Sequence, residues 1–205
     1  MTRSSGHNLA EPQRQFQAVI FDMDGTLVEA TLDFAAVRAE LRIGEEADII
    51  ETIQAMPAEP ARKAMARLTE LEMDGARRAT LSDGAAEAMA AVQSAGIKTA
   101  LLTRNNRQAM RTVIQRFDMT FDLTWSRESG IVKPSPKALL RACSLLGVHP
   151  ERTACVGDYL YDVQAANAAG AVSVLLVRPG QTCAFAAEAR CVIHSLRELP
   201  AVLGI

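Results

Sequence analysis

The sequence has few aromatic residues, and its four cysteines form no recognisable pattern. Phe, Trp and Tyr together make up 4% of the 205 residues. No Cys-x-x-Cys pair and no cluster of cysteine with histidine occurs, so neither a zinc site nor a secreted disulfide framework is indicated. A reducing, cytoplasmic location is therefore expected. The cysteines are Cys143, Cys155, Cys183 and Cys191.

The sequence also lacks an excess of charge of either sign and any long hydrophobic run. Lys and Arg number 22 and Asp and Glu 24, which gives a formal net charge of −2. This balance argues against a partner that is a nucleic acid or a membrane surface. The longest apolar segments, such as 172–177, fall far short of the roughly 20 residues that span a membrane. Residues 1–15 are polar, without the apolar stretch of a signal peptide, and are expected to form a flexible leader.

Hydrophobic residues make up 49% of the sequence, which is typical of a globular domain with a substantial core. Short apolar runs rich in β-branched residues alternate with segments of helical periodicity. Such runs are typical of buried strands in a parallel sheet that has helices on both faces. We therefore predict an α/β fold with a Rossmann-like parallel sheet. The predicted strands are 18–21, 98–102, 123–125, 153–156, 172–177 and 191–193.

Residues 29–81 interrupt this alternation, because they contain no convincing strand. Two helical stretches are predicted within them, at 32–43 and 61–73. We interpret the segment as a small helical cap inserted after the first strand. The core domain is then discontinuous and comprises 16–28 and 82–205.

A pair of aspartates directly follows the first predicted strand, in the segment Asp22-Met23-Asp24-Gly25-Thr26. Open α/β sheets bind ligands beyond the carboxyl ends of their strands, and two carboxylates there can share one hard cation. The alternative is an Asp-Gly turn without further function. An EF-hand loop is excluded, because counting from Asp22 puts Leu27 at position 6, where glycine is required, and Asp33 at position 12, where glutamate is expected.

Polar side chains follow three further strand or loop ends. Thr103 ends the second strand just before a helix N-terminus, where backbone N–H groups favour an anion, although Thr is also a common N-cap. Lys133 lies between an apolar residue and a proline ahead of another helix, and a single lysine is usually a solvated surface residue. Asp158 and Asp162 follow the fourth strand, where Gly157 allows close approach of the backbone.

Taken together, these four clusters resemble the signature of the haloacid dehalogenase-like hydrolase superfamily. That signature is DxDGT, a strand ending in Thr or Ser, a Lys, and GDxxxD, and all four parts occur here in order. The resemblance covers residues 16–180. The helical insertion is similar to the C1-type cap of the phosphoglycolate phosphatase-like branch.

The resemblance implies a phosphatase that uses Mg²⁺ and an aspartyl-phosphate intermediate, with a small phosphorylated metabolite as its partner. Asp22 is the implied nucleophile, and Asp24 the implied general acid and base. The implied metal ligands are the Asp22 carboxylate, the Asp24 backbone carbonyl and Asp158. Asp162 is expected to orient a metal-bound water or a lysine rather than bind the metal. The expected phosphate and substrate contacts come from Thr103, Arg104 and Lys133.

Several positions depart from the family pattern or remain open. Tyr159 replaces a usually small residue, and either narrows the site or packs beside it. Arg104 faces either substrate, cap or solvent. Arg127 and Glu128 form either a surface pair or part of the entrance. In the predicted cap, Arg38 and Arg42 share one helix face, which meets either an acidic substrate or water, and Phe34 lies near them.

Two other functions share the motifs. A phosphomutase of the β-phosphoglucomutase type is the first, although the short cap makes a long-lived phosphoenzyme harder to protect from water. A regulatory or inert scaffold is the second. A phosphonatase would require a cap lysine that forms a Schiff base, and Lys63, the only cap lysine, is expected on a solvated helix face.

Overall fold

The computed structural model describes residues 16–29, 32–45 and 47–205. The expected leader, 1–15, lies outside the described residues. Six parallel strands form one sheet in the spatial order β3-β2-β1-β4-β5-β6. The strands are β1 (Ala18–Phe21), β2 (Lys98–Leu102), β3 (Leu123–Trp125), β4 (Thr153–Gly157), β5 (Val172–Leu176) and β6 (Cys191–Ile193).

Eight α-helices accompany the sheet within the described residues. Their bounds are α1 (Phe34–Leu41), α2 (Ile49–Ala55), α3 (Ala58–Arg78), α4 (Ala85–Ser94), α5 (Arg107–Arg116), α6 (Pro136–Leu146), α7 (Leu160–Ala169) and α8 (Leu199–Leu203). The predicted α/β class with a Rossmann-like parallel sheet is confirmed. Four strands have the predicted bounds, whereas β4 extends to Gly157 and β5 ends at Leu176.

Both faces of the sheet are buried, as the continuous apolar strands require. Val19 and Phe21 of β1 belong to the larger core, on the face that packs with α4, α5 and α8. The alternate residues Ala18 and Ile20 pack with α6 and α7 on the other face. Because successive strand side chains point to opposite faces, one short strand supplies both cores.

The strand order places a switch point beside β1. The chain runs from β1 to β2 and β3 on one side, then crosses back to β4 on the other side of β1. The register of β1 pairs Phe21 with Leu101 and with Val156, so these three strands end at nearly the same level. Residues that follow them therefore converge at the crevice where such sheets bind ligands.

The first three of the four helices between β1 and β2 form an apolar cluster of their own. Val37, Ile53 and Leu68 are its most buried members and come from α1, α2 and α3 respectively. The predicted helix at 32–43 is shorter in the structure, and α3 is longer than the predicted 61–73. Helix α2 was not predicted as a separate element. The division into a core (16–28 and 82–205) and a cap (29–81) stays a prediction.

The helix-face prediction for Arg42 is wrong. Helix α1 ends at Leu41, and Arg42 adopts a left-handed conformation with φ of 58° as its C-cap. Arg42 therefore does not share a helix face with Arg38.

We predict that Leu101→Ala lowers the free energy of unfolding by about 3 kcal/mol, because the side chain is fully buried in a central strand and its loss leaves a cavity. The measurement is urea unfolding followed by circular dichroism. Leu145→Ala is the matched control, since this leucine is 51% exposed, and we expect a change within about 0.5 kcal/mol. Equal effects of the two substitutions would contradict the assigned core.

Candidate active site

The loop after β1 carries Asp22 and Asp24 to the crevice. The Asp22 backbone N–H donates to the Val156 carbonyl at 2.8 Å, so the loop leaves the sheet beside β4. Gly25 has φ of +84°, and a Cβ atom there would lie 2.1 Å from Asp158 Oδ2. Glycine is needed at this position both for the backbone conformation and for the close approach of Asp158.

The segment after β4 brings two further carboxylates to the same place. A Cβ atom on Gly157 would lie 2.1 Å from Asp162 Cγ, so glycine is what allows the start of α7 to fold tightly against the strand. Asp162 Oδ2 accepts a hydrogen bond from the Tyr159 backbone N–H at 3.1 Å, which caps the helix. The Thr26 hydroxyl donates to Asp158 Oδ1 at 3.4 Å and joins the two loops.

The Lys133 side chain connects the loop after β1 with the segment after β4. Its Nζ donates to Asp22 Oδ1 and to Asp162 Oδ1, each at 2.5 Å. Burial lowers the pKa of the Lys133 ammonium group, but the charges of Asp162 and Asp22 outweigh burial and raise that pKa above its ordinary value. The lysine therefore stays a cation in the buried site, and it is not the solvated surface residue that a single lysine usually is.

The loop after β2 supplies a hydroxyl and an amide. Thr103 is buried, and its Oγ1 accepts from the Asn105 backbone N–H at 2.9 Å. Asn105 Nδ2 donates to Asp24 Oδ2 at 3.0 Å. The sequence motifs did not single out Asn105 as a site residue. Its place two residues after Thr103, at the carboxyl end of the same strand, was the available signal.

Three acidic side chains form a cluster that fits a divalent cation. Carboxylate oxygens of Asp22, Asp158 and Asp162 lie within 4.8 Å of one another. Hard cations prefer such oxygen ligands, and Lys133 pairs with only two of these three acids. The residues present therefore fit a metal of this type. The Asp24 side chain is not part of this cluster and instead accepts from Asn105.

Burial raises the pKa of three acids at this edge, Asp22, Asp24 and Asp158. The pKa of Asp22 lies well above its usual value, because burial outweighs the attraction of Lys133. Burial raises the pKa of Asp24 to about 6 although Asn105 donates to it. Burial, with the nearby charge of Asp162, raises the pKa of Asp158 to about 7. Buried acids with raised pKa values are typical of sites that bind cations or transfer protons.

A cavity of about 330 Å³ lies between this edge and the helices α1 to α3. All of the predicted site residues line it: Asp22, Asp24, Thr103, Arg104, Lys133, Asp158 and Asp162. The wall formed by α1 to α3 and the segment before α1 is largely apolar. It includes Leu32, Phe34, Ile49, Ile50 and Leu68. Tyr159 and Tyr161 also line the cavity, and their rings meet edge to face with centroids 5.1 Å apart.

Two arginines contribute to the wall of the cavity. Arg104 pairs with Asp48 of the N-cap of α2 at 2.6 Å, and its guanidinium lies 4.6 Å from the centre of the Tyr161 ring. Arg38 donates to the backbone carbonyls of Ala47 and Phe34. No carboxylate in the described part of the chain pairs with Arg38. Lys63 is not among the lining residues and pairs on the surface with Glu59 at 3.5 Å, as expected for a solvated helix face.

Of the two alternatives for Arg127 and Glu128, the surface pair is wrong. The Arg127 guanidinium is bound by Glu72 of α3, with N–O distances of 2.6 and 2.9 Å, and both side chains are almost completely buried. Glu128 instead accepts from the Ser126 hydroxyl and from the Arg107 backbone N–H. Glu72 itself lines the cavity, and no motif in the sequence had identified it.

Comparison with known proteins agrees with this geometry. The family model described as haloacid dehalogenase-like hydrolase matches residues 16–170. A haloacid dehalogenase-like hydrolase domain-containing protein of Arabidopsis thaliana is 32% identical, over 82% of this chain and 73% of its own length. A phosphoglycolate phosphatase of Cupriavidus necator is 31% identical, over 91% of this chain and 92% of its own length.

Among solved structures, a predicted phosphoglycolate phosphatase from Haemophilus somnus matches with a TM-score of 0.74. It is 17% identical, and the match covers 93% of this chain and 99% of the other. The chain thus belongs to the haloacid dehalogenase-like hydrolases. Within that family it is an enzyme of the phosphatase class. In the described ranges, no helix is both long and apolar enough to cross a membrane.

The raised pKa values predict how stability depends on pH without metal. A folded-state pKa of about 7 at Asp158 lies above the ordinary value of about 3.9, so the folded protein takes up a proton and its free energy of unfolding falls as pH rises between these values. Asp158→Asn removes this contribution. We expect the variant to gain about 3 kcal/mol relative to the wild type between about pH 4.5 and about pH 7.5.

The measurement is urea unfolding in the presence of a chelator at both pH values. Asp118→Asn, at an exposed position, is the control and should show the same difference from the wild type at both. A stability difference for Asp158→Asn that does not change with pH would contradict the assigned environment of Asp158.

Proposed function

We propose that the protein is a Mg²⁺-dependent phosphatase that hydrolyses a small organic phosphate monoester through an aspartyl-phosphate intermediate. The observation that carries the proposal is the placement of Asp22 in one cavity wall, with Lys133 on its carboxylate and the Asp158 and Asp162 oxygens beside it. A carboxylate held in this way is suited to attack phosphorus, because its neighbours offset the charge that would repel a phosphate.

The proposed reaction begins with attack of the Asp22 carboxylate oxygen on phosphorus. A bond forms between that oxygen and phosphorus, and the bond from phosphorus to the ester oxygen of the leaving group breaks. Lys133, 2.5 Å from Asp22, orients the nucleophile and stabilises the phosphoryl oxygens. The Thr103 hydroxyl, at the end of β2, is proposed to donate to a phosphoryl oxygen.

Asp24 is proposed to transfer the proton. It donates a proton to the ester oxygen as the leaving group departs, and then accepts one from the water that attacks the phosphorus of phospho-Asp22. In this second step the bond between phosphorus and the Asp22 oxygen breaks, which releases inorganic phosphate and restores the Asp22 carboxylate. Burial raises the pKa of Asp24 to about 6, so its carboxyl group exchanges a proton near neutral pH. Asn105 holds the carboxyl at 3.0 Å from its own side-chain nitrogen.

The proposed Mg²⁺ ligands are the Asp22 carboxylate, the Asp24 backbone carbonyl and Asp158. Asp162 is proposed as a partner of Lys133 and of a metal-bound water, because one of its oxygens is held by the lysine and the other accepts from the Tyr159 backbone N–H. When bound, the metal ion neutralises negative charge on the phosphoryl group and the nucleophile.

The proposed substrate is a small phosphorylated metabolite with an anionic group distant from the phosphate. The cavity of about 330 Å³ suits a small molecule, and Arg38 lies in its wall with backbone carbonyls as its described partners. The Cupriavidus necator relative is named for phosphoglycolate, which has a carboxylate of this kind. Arg104 is a second proposed substrate contact, although Asp48 binds it in the structure.

We also propose the division into a discontinuous core, 16–28 and 82–205, and a cap, 29–81. The separate apolar cluster of α1 to α3 supports this division. A cytoplasmic location is proposed on the ground that the four cysteines form no disulfide in the structure.

The first test is phosphate release from a panel of monoesters that includes 2-phosphoglycolate, benzyl phosphate and hexose phosphates. We expect release that requires Mg²⁺, is lost with chelator, and falls by at least about 10³-fold in Asp22→Asn, since the amide cannot act as the nucleophile. Asp118→Asn should remain at the wild-type level. Turnover near the wild-type level in Asp22→Asn would contradict the proposal.

The second test concerns Arg38. We expect Arg38→Gln to raise KM for 2-phosphoglycolate about tenfold, because a charged hydrogen bond to the substrate carboxylate is lost, with little change for benzyl phosphate, which has no second anionic group. Arg62→Gln, on the exposed surface of α3, is the control. The same KM change for both esters would contradict the assignment of Arg38 to the leaving group.

A further inference from the structure

A buried ion pair joins the helical insertion to the sheet beside the site. Glu72 of α3 is 5% exposed. Its carboxylate accepts two hydrogen bonds from the guanidinium of Arg127, a residue in the turn after β3. Asn106 Nδ2 donates to the same carboxylate at 2.7 Å. All three donors come from the loops after β2 and β3, so Glu72 is held wholly by the sheet side of the cavity.

The same donors fix the loop that follows β2. Arg127 Nη1 donates to the Arg104 carbonyl at 3.2 Å, and the Arg127 backbone N–H donates to the Asn105 carbonyl at 3.1 Å. Asn106 Oδ1 accepts from the Ala109 backbone N–H at 2.8 Å and caps α5. The position of this loop therefore depends on Arg127, and the position of Arg127 depends on Glu72.

This loop ends in a direct contact with the proposed general acid. Asn105 Oδ1 accepts from the Asn106 backbone N–H at 2.7 Å, so the Asn105 side-chain nitrogen is the group turned towards Asp24. That nitrogen donates to Asp24 Oδ2 at 3.0 Å. Asn105 is 6% exposed, which leaves little room for water to replace it.

We propose that Asn105 is a positioning residue for the Asp24 carboxyl group, and that the Glu72–Arg127 ion pair keeps Asn105 in place. This inference rests on the proposed function, in which Asp24 protonates the leaving oxygen. The orientation of the Asp24 carboxyl group therefore depends on the packing of α3 against the sheet. An insertion that is displaced from the sheet takes Glu72 away from Arg127 and leaves the acid without its support.

A misplaced Asp24 slows the release of a basic leaving group more than that of a stable anion. A loss of folded protein lowers both rates equally. In the first step the phosphorus–oxygen bond to the leaving group breaks while Asp24 gives its proton to that oxygen. Benzyl phosphate needs this proton, because benzyl alkoxide is strongly basic. p-Nitrophenyl phosphate needs it far less, because p-nitrophenolate leaves as a stable anion. The two esters are similar in size.

The test measures single-turnover release of the leaving group from both esters, with Mg²⁺, in Asn105→Ala and Arg127→Gln. We expect a loss of about 10- to 100-fold for benzyl phosphate and of less than about threefold for p-nitrophenyl phosphate, since general acid catalysis contributes about 10²- to 10⁴-fold in total. Glu72→Gln should give the same pattern. Glu59→Gln, on the exposed surface of the same helix, should leave both rates unchanged.

Arg127→Gln leaves the buried Glu72 charge unpaired, and such a variant is prone to unfold. The double variant Glu72→Gln with Arg127→Gln removes both charges, and we expect it to fold and to show the loss of the Arg127 variant, not the product of two losses. Equal losses for the two esters in Asn105→Ala and the double variant would overturn the inference. Failure of the wild type to release either leaving group would instead overturn the proposed function.

Discussion

A single buried ammonium group, that of Lys133, lies 2.5 Å from an oxygen of Asp22 and 2.5 Å from an oxygen of Asp162. The two acids follow different strands, and without a cation between them their charges would repel in a site from which water is excluded. Gly25 allows the close approach of Asp158, and Gly157 allows the close approach of Asp162. The lysine thus allows the acid cluster to exist, and the cluster in turn provides the ligands that a hard cation needs.

Much of this arrangement could be predicted from the sequence because it is local. Each strand of the buried sheet is a short apolar run, and a polar cluster follows directly where β1, β2 and β4 end. In a parallel sheet the carboxyl ends lie along one edge, so residues as distant in the chain as Asp22 and Asp158 had to meet. Lys133 follows no strand, and only its resemblance to the family motif placed it in the site.

The remaining features depend on contacts that no local pattern records. Glu72 is one of many charged residues on α3, and its selection by Arg127 follows from the packing of that helix against the sheet. In the sequence Asn105 is one polar residue among several near the start of a helix. Only the structure shows that its amide donates a hydrogen bond to Asp24. Helix α1 ends early because Arg42 adopts a left-handed conformation. That conformation is uncommon for residues other than glycine, so the sequence does not predict it.

The central claim is that Asp22 forms a covalent bond to phosphorus. The most direct measurement is acid quenching of the enzyme during turnover with a phosphate ester, followed by proteolysis and mass spectrometry of the peptide that contains residues 18–26. We expect a phosphoryl group on Asp22, which disappears when the substrate is exhausted. Phosphate release during turnover without any phosphorylated Asp22, or with the phosphoryl group on another residue, would contradict the account.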